Sequence, residues 1–408
     1  MTKLNYEIPK HGEFNELRKD LYWTQFELPF RLNHVNLFFL NTKNGWILID
    51  SGLRSDHSIE MWEKILNGPL KSEKIHSLLI THYHPDHIGM AGWLQKKLNV
   101  PAFTSSKELE VAKKLLVMPD EDYSIMFDNI FQRSGIPREQ KQEMLGATRL
   151  YKNKVFNLPD FKIISEGFEI ESNEGMWKVR TDVGHSPEHI SLTDKKRSLY
   201  LAGDFLLPRI SPNVSDNFFD PFDDRLGGYL NYLNDIKTIN SEVEVFPCHD
   251  WPFKDGDSRA VELINHHNQR LDILKNELLK RNITVYDSLS LIFDRKIGNE
   301  QMHFAIGEAR SHLINLVKTG YAKKISDSNK VAGCVVQEGK VTSKSFVKIF
   351  RDEKILDECE IQSLRREKNQ VKQVSSGQEC GIIIKDYVDF QKNDTLEAFS
   401  VTSKERSI

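Results

Sequence analysis

Nine consecutive residues, Thr81-His82-Tyr83-His84-Pro85-Asp86-His87-Ile88-Gly89, constrain this chain more than any other feature. They follow a short apolar run, residues 77–80, that reads as a buried strand, and they lead into helical spacing over 89–98. Side chains alternate along an extended stretch, so His82 and His84 point to the same side. Pro85 suits the first position of a helix, and the turn it starts brings Asp86 and His87 round to the same space. Four nitrogen or oxygen donors therefore converge. Two from one element and two from the next can serve two adjacent divalent ions. Imidazole with carboxylate suits zinc, with iron or manganese as alternatives.

Such a cluster needs a scaffold, and 408 residues are enough for a sizeable core and more than one domain. Charged residues make up 28% of the chain and the formal net charge is −3, so no excess of Lys and Arg argues for non-specific nucleic-acid binding. The polar N-terminus has no apolar core like a secretory signal, and no window is long and apolar enough to cross a bilayer. The expected location is the cytoplasm, with no membrane partner. Cys248, Cys334, Cys359 and Cys380 are far apart and form no CxxC pair, which suits a reducing compartment and argues against a disulfide framework or a Cys-based zinc site.

Along the chain, two apolar runs flank Lys43-Asn44-Gly45, a hairpin signal. The second run ends at Asp50-Ser51-Gly52. Helical spacing over 58–67 and 89–98 alternates with strands at 77–80 and 100–103, an α/β layer. Residues 105–150 are helix-prone, broken by Pro119 and Pro137, and form either a helical insert with its own small core or a lid. Strands return around 161–170, 176–182, 189–193 and 198–202. Residues 259–281 form a long amphipathic helix with Val261, Ile264, Leu271, Leu274 and Leu278 on one face, and two or three shorter helices follow in 285–325. After a linker at 324–330, short β-rich runs alternate with turns, as in a small all-β barrel or sandwich.

The histidine segment resembles the metallo-β-lactamase superfamily, and further motifs follow in that family's order: Gly184-His185-Ser186, Ala202-Gly203-Asp204 and Phe246-Pro247-Cys248-His249. The resemblance implies that His82, His84 and His185 hold one ion, that Asp86, His87 and His249 hold a second, and that Asp204 bridges them. Asp50 matches the family aspartate that orients ligand groups. Cys248 departs from the family's usual Gly and is read as packing. His34, His57, His76, His266, His267, His303 and His312 lack a partner pattern and are read as surface or core residues. His189 is ambiguous and is placed at the start of the next strand. The implied fold is α+β: an αββα sandwich over 1–258, a small winged-helix-like helical domain over 259–325, and an all-β barrel over 326–408. Leu207-Pro208-Arg209-Ile210-Ser211-Pro212-Asn213-Val214, Gly227-Gly228-Tyr229-Leu230 and the helix carrying His266, His267 and Arg270 resemble bacterial hydrolases related to glyoxalase II and to the β-lactamase-like-protein-2 group. That subgroup includes thioesterases and RNA-cleaving enzymes, so fold alone does not choose the substrate.

Residues 331–400 resemble the last β-barrel domain of bacterial translation initiation factor 2, which grips the formylmethionyl end of initiator tRNA. The matching positions are Cys334, Arg365, Arg366, Lys368, Glu379, Cys380 and Gly381, candidates for acyl-tRNA binding. Glu367 and Gln378 stand where that family has aromatics. Acidic and basic residues balance across 327–408, so no basic face is evident. The alternative is a barrel reused for packing or for binding protein.

The chemistry implied is hydrolysis. Two divalent ions sharing a water lower its pKa and yield a hydroxide nucleophile. Asp86 can steady that hydroxide or take its proton, while Tyr83 and Tyr229 are candidate helpers at the oxyanion. A thiolate leaving group, with an unperturbed pKa of roughly 8.5, needs little acid assistance, so a small-molecule thioester or ester is the expected substrate. An RNA-directed enzyme, either acyl-tRNA deacylase or ribonuclease, is the alternative.

Overall fold

In the computed structural model, which describes residues 1–29, 32–216, 219, 223–294, 297–324, 331–351, 354–367, 369–384 and 393–400, the apolar runs around Gly45 pair as a hairpin. His34–Thr42 and Gly45–Ile49 run antiparallel, with Thr42 opposite Gly45. Nearly every residue of both strands is buried. That explains why they read as continuous hydrophobic runs rather than alternating ones: both faces of the sheet are covered. The hairpin sits in a seven-stranded sheet ordered Asn15–Arg18, Leu21–Glu27, His34–Thr42, Gly45–Ile49, Ile75–Leu79, Ala102–Thr104 and Phe161–Ile163, whose last four strands are parallel.

A second seven-stranded sheet runs Thr2–Lys3, Phe253–Lys254, Glu244–Pro247, Leu199–Gly203, His189–Asp194, Met176–Asp182 and Glu169–Glu171. One apolar cluster joins the two sheets, with Leu37, Phe39 and Leu79 of the first packed with Trp177, Ile190 and Phe246 of the second. Met61, Trp62 and Ile65 of the helix Asp56–Asn67 and Leu94 of the helix Ala91–Leu98 belong to that cluster. The outer face of the second sheet offers Tyr200, Ala202, Val245 and Phe253 to a second cluster, built from the helices Arg225–Ile236 and Gly256–Leu278. The layers are helix, sheet, sheet, helix.

The sheets are also tied electrostatically. Asp20 is fully buried in the turn before Leu21–Glu27. It accepts from Arg197 Nη1 at 2.6 Å and Nη2 at 2.8 Å, from Trp177 Nε1 at 3.4 Å and from the Ser172 hydroxyl. The three partners all belong to the second sheet or its turns.

Residues 105–150 form three helices, Ser106–Leu116, Asp120–Arg133 and Arg138–Lys152, with Pro119 and Pro137 at the breaks. They have no core of their own. Val111, Phe127, Phe131 and Met144 share one apolar cluster with Leu274, Ile306 and Ala309 of the later helices. On Gly256–Leu278 the buried stripe is Ala260, Leu263, His267, Leu271 and Leu274, while Val261 is 45% exposed. The stripe expected through Val261 is therefore rotated: His267 occupies an apolar-face position that hydrophobicity alone does not mark. The helices Val285–Ile292 and Asn299–Lys318 complete this region, and among the described residues of 285–322 there is no strand to serve as a wing. Residues 1–322 form one compact unit and residues 323–408 form another. No helix among the described residues is long and apolar enough to cross a membrane.

The second unit is β-rich. Its main sheet is ordered Ala332–Val335, Glu379–Ile384, Lys354–Arg366, Phe346–Arg351 and Thr395–Phe399, with Asn369–Gln370 paired to the long strand. Lys354–Arg366 pairs with Phe346–Arg351 along its first half and with Glu379–Ile384 along its second, its register shifting between Ile361 and Ser363. That irregularity turns the sheet into a half-barrel around Val347, Ile349, Leu364 and Ile382.

Arg197→Ala leaves the Asp20 carboxylate buried without its cation, and the expected cost is about 3–5 kcal/mol, read from the urea midpoint of unfolding. Arg197 holds the Asp20 carboxyl below its ordinary range against the effect of burial. The difference between wild type and variant is accordingly full above the ordinary carboxylate pKa, and it shrinks as pH falls through the depressed one.

Candidate metal centre

Every histidine or aspartate implicated by sequence lies just past the C-terminal end of a strand, or on the turn that follows it. Asp50 follows Gly45–Ile49, His82 follows Ile75–Leu79, His185 follows Met176–Asp182, Asp204 follows Leu199–Gly203, and His249 follows Glu244–Pro247. The strands of both sheets thus deliver their donors to one edge of the sandwich. His84 is the N-cap of the short helix Pro85–Ile88, with Pro85 at its first position, and that single turn swings Asp86 and His87 inward.

The donors meet. Asp204 Oδ2 lies 3.4 Å from His87 Nε2, 3.4 Å from His185 Nε2, 3.3 Å from His249 Nε2 and 4.0 Å from His82 Nε2. Asp86 Oδ2 is 3.5 Å from His249 Nε2 and 3.8 Å from His87 Nε2. His82 Nε2 and His84 Nδ1 are 3.0 Å apart. Within each of the groups His82–His84–His185, His82–His87–Asp204 and Asp86–His87–His249, the donor atoms all lie within 4.8 Å of one another.

The opposite nitrogens of four of these rings are anchored. Thr81 Oγ1 donates to Asp50, so it accepts from His82 Nδ1 at 3.0 Å. His87 Nδ1 donates to Asp50 Oδ2 at 2.8 Å, His185 Nδ1 to the Asn213 carbonyl at 2.7 Å, and His249 Nδ1 to the His34 carbonyl at 2.8 Å. With the proton held on Nδ1, each Nε2 lone pair faces the cluster, the tautomer a metal ligand needs. Buried Nε2 of His87 and of His185 and Oδ1 of Asp204 find no hydrogen-bond partner. Buried polar atoms of this kind are rare unless an ion, ligand or water satisfies them, so the donor set fits divalent cations.

Charge distribution divides the cluster. Burial and the neighbouring imidazoles push His82 well below the usual histidine range, and burial with His185 does the same to His84. Burial also opposes charge on His87, but Asp204, Asp86 and Asp50 outweigh it and lift that ring well above its usual range. Burial would raise the Asp204 carboxyl, yet His249 and His87 hold it well below the carboxylate range.

Asp50 is placed by an unusual backbone. Its φ is 63°, a left-handed conformation that Asp tolerates better than most residues. Its side chain accepts from Thr81 N at 2.8 Å and from the Thr81 hydroxyl as well as from His87. Cys248 is buried with Sγ 3.7 Å from Asp50 Oδ2, and burial pushes its thiol above the usual range, in keeping with packing. The Tyr229 hydroxyl is committed to the Phe205 carbonyl at 2.9 Å, which removes it as an oxyanion helper. Tyr83 is carried on the histidine segment, with its hydroxyl pushed above the usual phenol range by burial. His189 begins its strand and does more than start it: its Nε2 accepts from Asp204 N at 3.2 Å. Its ring occupies the space beside Gly203, where φ is +56° and an added Cβ would sit 2.3 Å from His189 Cε1.

Sequence reasoning missed His189 in this role. It also missed Asn213 and Glu308, where Asn213 Nδ2 donates to Glu308 Oε2 at 3.3 Å and Glu308 pairs with Arg270. Asn213 lies within the Leu207–Val214 stretch and His189 stands four residues after His185, both usable signals; Glu308 left none.

In the second unit, Cys334 pairs with Cys380, Val335 with Glu379 and Arg365 with Gly381 across three adjacent strands. Arg366 stands opposite Asn369, and Lys368 lies outside the described residues. Cys334 and Cys380 face the half-barrel core, and burial raises the Cys334 thiol to about 11.

The model of the metallo-beta-lactamase superfamily matches residues 31–249, and that of the metallo-beta-lactamase-like C-terminal domain matches 271–333. The chain therefore belongs to the metallo-β-lactamase superfamily, whose members are typically hydrolases. A beta-lactamase domain protein from Burkholderia ambifaria is similar in structure, with a TM-score of 0.70, 28% identity, and coverage of 80% of this chain and 93% of that one. A metallo-beta-lactamase family protein from Thermus thermophilus shares the fold at a TM-score of 0.64 and 24% identity, over 78% of this chain and 97% of that one. The C-terminal region is similar to translation initiation factor IF-2: 52% identical over 85 residues to that of Pelagibacter ubique, and 45% over 78 residues to that of Clostridium tetani. The matched regions make up 21% and 19% of this chain but only 12% and 11% of those proteins.

Gly203→Ala forces a left-handed alanine against the His189 ring. The expected loss is about 1–3 kcal/mol of stability, measured by thermal unfolding of metal-free protein.

Proposed function

We propose that this protein hydrolyses acyl thioesters or esters with the help of two divalent cations, zinc by the chemistry of the donors, with iron or manganese as alternatives. One observation carries the reading: Asp204 Oδ2 stands within 3.4 Å of three imidazole Nε2 atoms, between a group built on His82, His84 and His185 and a group built on Asp86, His87 and His249. Bound there, divalent cations supply a water of lowered pKa and a Lewis acid toward the acyl oxygen. Asp204 serves both groups. Asp86, with its side chain 16% exposed, is the more open of the two carboxylates. It is the base placed to receive the proton of the attacking water. Asp50 keeps the His82 and His87 rings in the required tautomer through Thr81 and by direct contact. No side chain is assigned as general acid, and a thiolate, with its pKa of roughly 8.5, leaves without one.

The second unit supports a second reading, an RNA-directed enzyme such as an acyl-tRNA deacylase or ribonuclease. It draws on the likeness to translation initiation factor IF-2 and on the gathering of Cys334, Arg365, Glu379, Cys380 and Gly381 on adjacent strands.

Protein stripped by a chelator and reloaded with zinc, manganese or iron is assayed on a generic acyl thioester, a lactone, formylmethionyl-tRNA and labelled RNA. The expected outcome is metal-dependent thioester or ester turnover, with Asp86→Asn lowering kcat about 10²- to 10⁴-fold. Absence of turnover on both the thioester and the lactone by every reloaded form contradicts the first reading, and loss of the aminoacyl ester alone selects the second.

A further inference from the structure

The helix Ser106–Leu116, first of the inserted helices, begins against the loop that carries His185. Ser105 Oγ donates to the Glu188 carbonyl at 2.7 Å, and Lys107 N donates to Glu188 Oε2 at 2.8 Å. One residue on, Glu108 is 1% exposed and turns its carboxylate inward. Its Oε2 accepts from Tyr83 N at 3.0 Å. Its Oε1 accepts from Ser186 Oγ at 2.6 Å and from Glu188 N at 2.8 Å. Tyr83 lies between His82 and His84, and Ser186 follows His185. These loops leave strands of different sheets, and a single buried carboxylate spans both.

We propose that Glu108 is a positioning residue that sets the spacing between the His82–His84 segment and the His185 loop, so that three imidazoles from two sheets can share one cation. The inference rests on the metal reading above and deepens it. Two properties suit a carboxylate to the task. It is acceptor-only, so both oxygens can face donors at once, and hydrogen bonds to a charged acceptor are shorter and stronger than neutral ones. Burial keeps water from competing. Glutamine has the same size and fails: its amide nitrogen must face either Tyr83 N–H or the Ser186 and Glu188 donors, donor against donor. The inserted helices therefore act as a strut to the site.

Full-length wild type, Glu108→Gln, Ser186→Ala and the surface control Glu110→Gln, which removes a charge from the same helix, are prepared metal-free. Zinc affinity is measured against a chromophoric chelator, and the visible spectrum of the cobalt(II) form reports ligand geometry. Glu108→Gln is expected to weaken zinc binding about 10- to 100-fold and to alter the cobalt spectrum. Ser186→Ala is expected to do so by a smaller factor, and Glu110→Gln to match wild type. Wild-type zinc affinity and spectrum in Glu108→Gln overturn the inference. Should that variant fail to fold, the unchanged affinity of Ser186→Ala overturns it and a reduced one supports it. A wild type that binds no zinc, cobalt, manganese or iron instead overturns the metal reading beneath it.

Discussion

A buried carboxylate surrounded by imidazole nitrogens is the constraint from which the rest of the architecture follows. Asp204 is 5% exposed and meets His87, His185 and His249 through the same oxygen. Burying such a charge is costly unless it is paired or coordinates a metal. The protein meets that cost by fixing the surrounding rings so firmly that their lone pairs have no other orientation. The Asp50 carboxylate, the Thr81 hydroxyl and two backbone carbonyls hold four Nδ1 protons. The strained backbone at Asp50 and the glycine at 203 are consequences of bringing those anchors close enough.

The sandwich serves that arrangement by aligning strand ends. Each sheet contributes parallel neighbours whose C-terminal ends fall on one edge, and the donors occupy the first residues beyond them. Helices then brace the edge from two sides. Glu108 approaches from the inserted helices, and Asn213 approaches through Glu308 and Arg270 of the later ones. These two helical regions share one apolar cluster.

Much of this was legible in the residues because its signals are local. The histidine segment fits two periodicities in succession, extended and then helical, so its convergence follows from nine residues. The hairpin at Lys43–Gly45 and the buried strands carry their own turn and apolar signals. What escaped is non-local. Glu108 sits in a stretch whose pattern is simply helical, and its importance arises only when a loop 80 residues away in sequence meets it. His267 hid the true buried stripe of its helix, because a histidine in an apolar face lowers the periodic signal that Val261 mimics. The inserted helices read as an insert with its own core or as a lid because apolar partners such as Leu274 and Ile306 lie more than 100 residues downstream.

The order in which donors appear along the chain has a consequence for how the protein matures. Asp50 through His87 leave the ribosome first, but His249 emerges 162 residues after His87. At roughly 5–20 residues per second, the early cluster is outside the tunnel for about 8–30 seconds before the last imidazole emerges. During that interval the early donors stand without the residues that complete their groups. The full donor set is therefore a property of the finished fold, complete only once the second sheet has closed against the first.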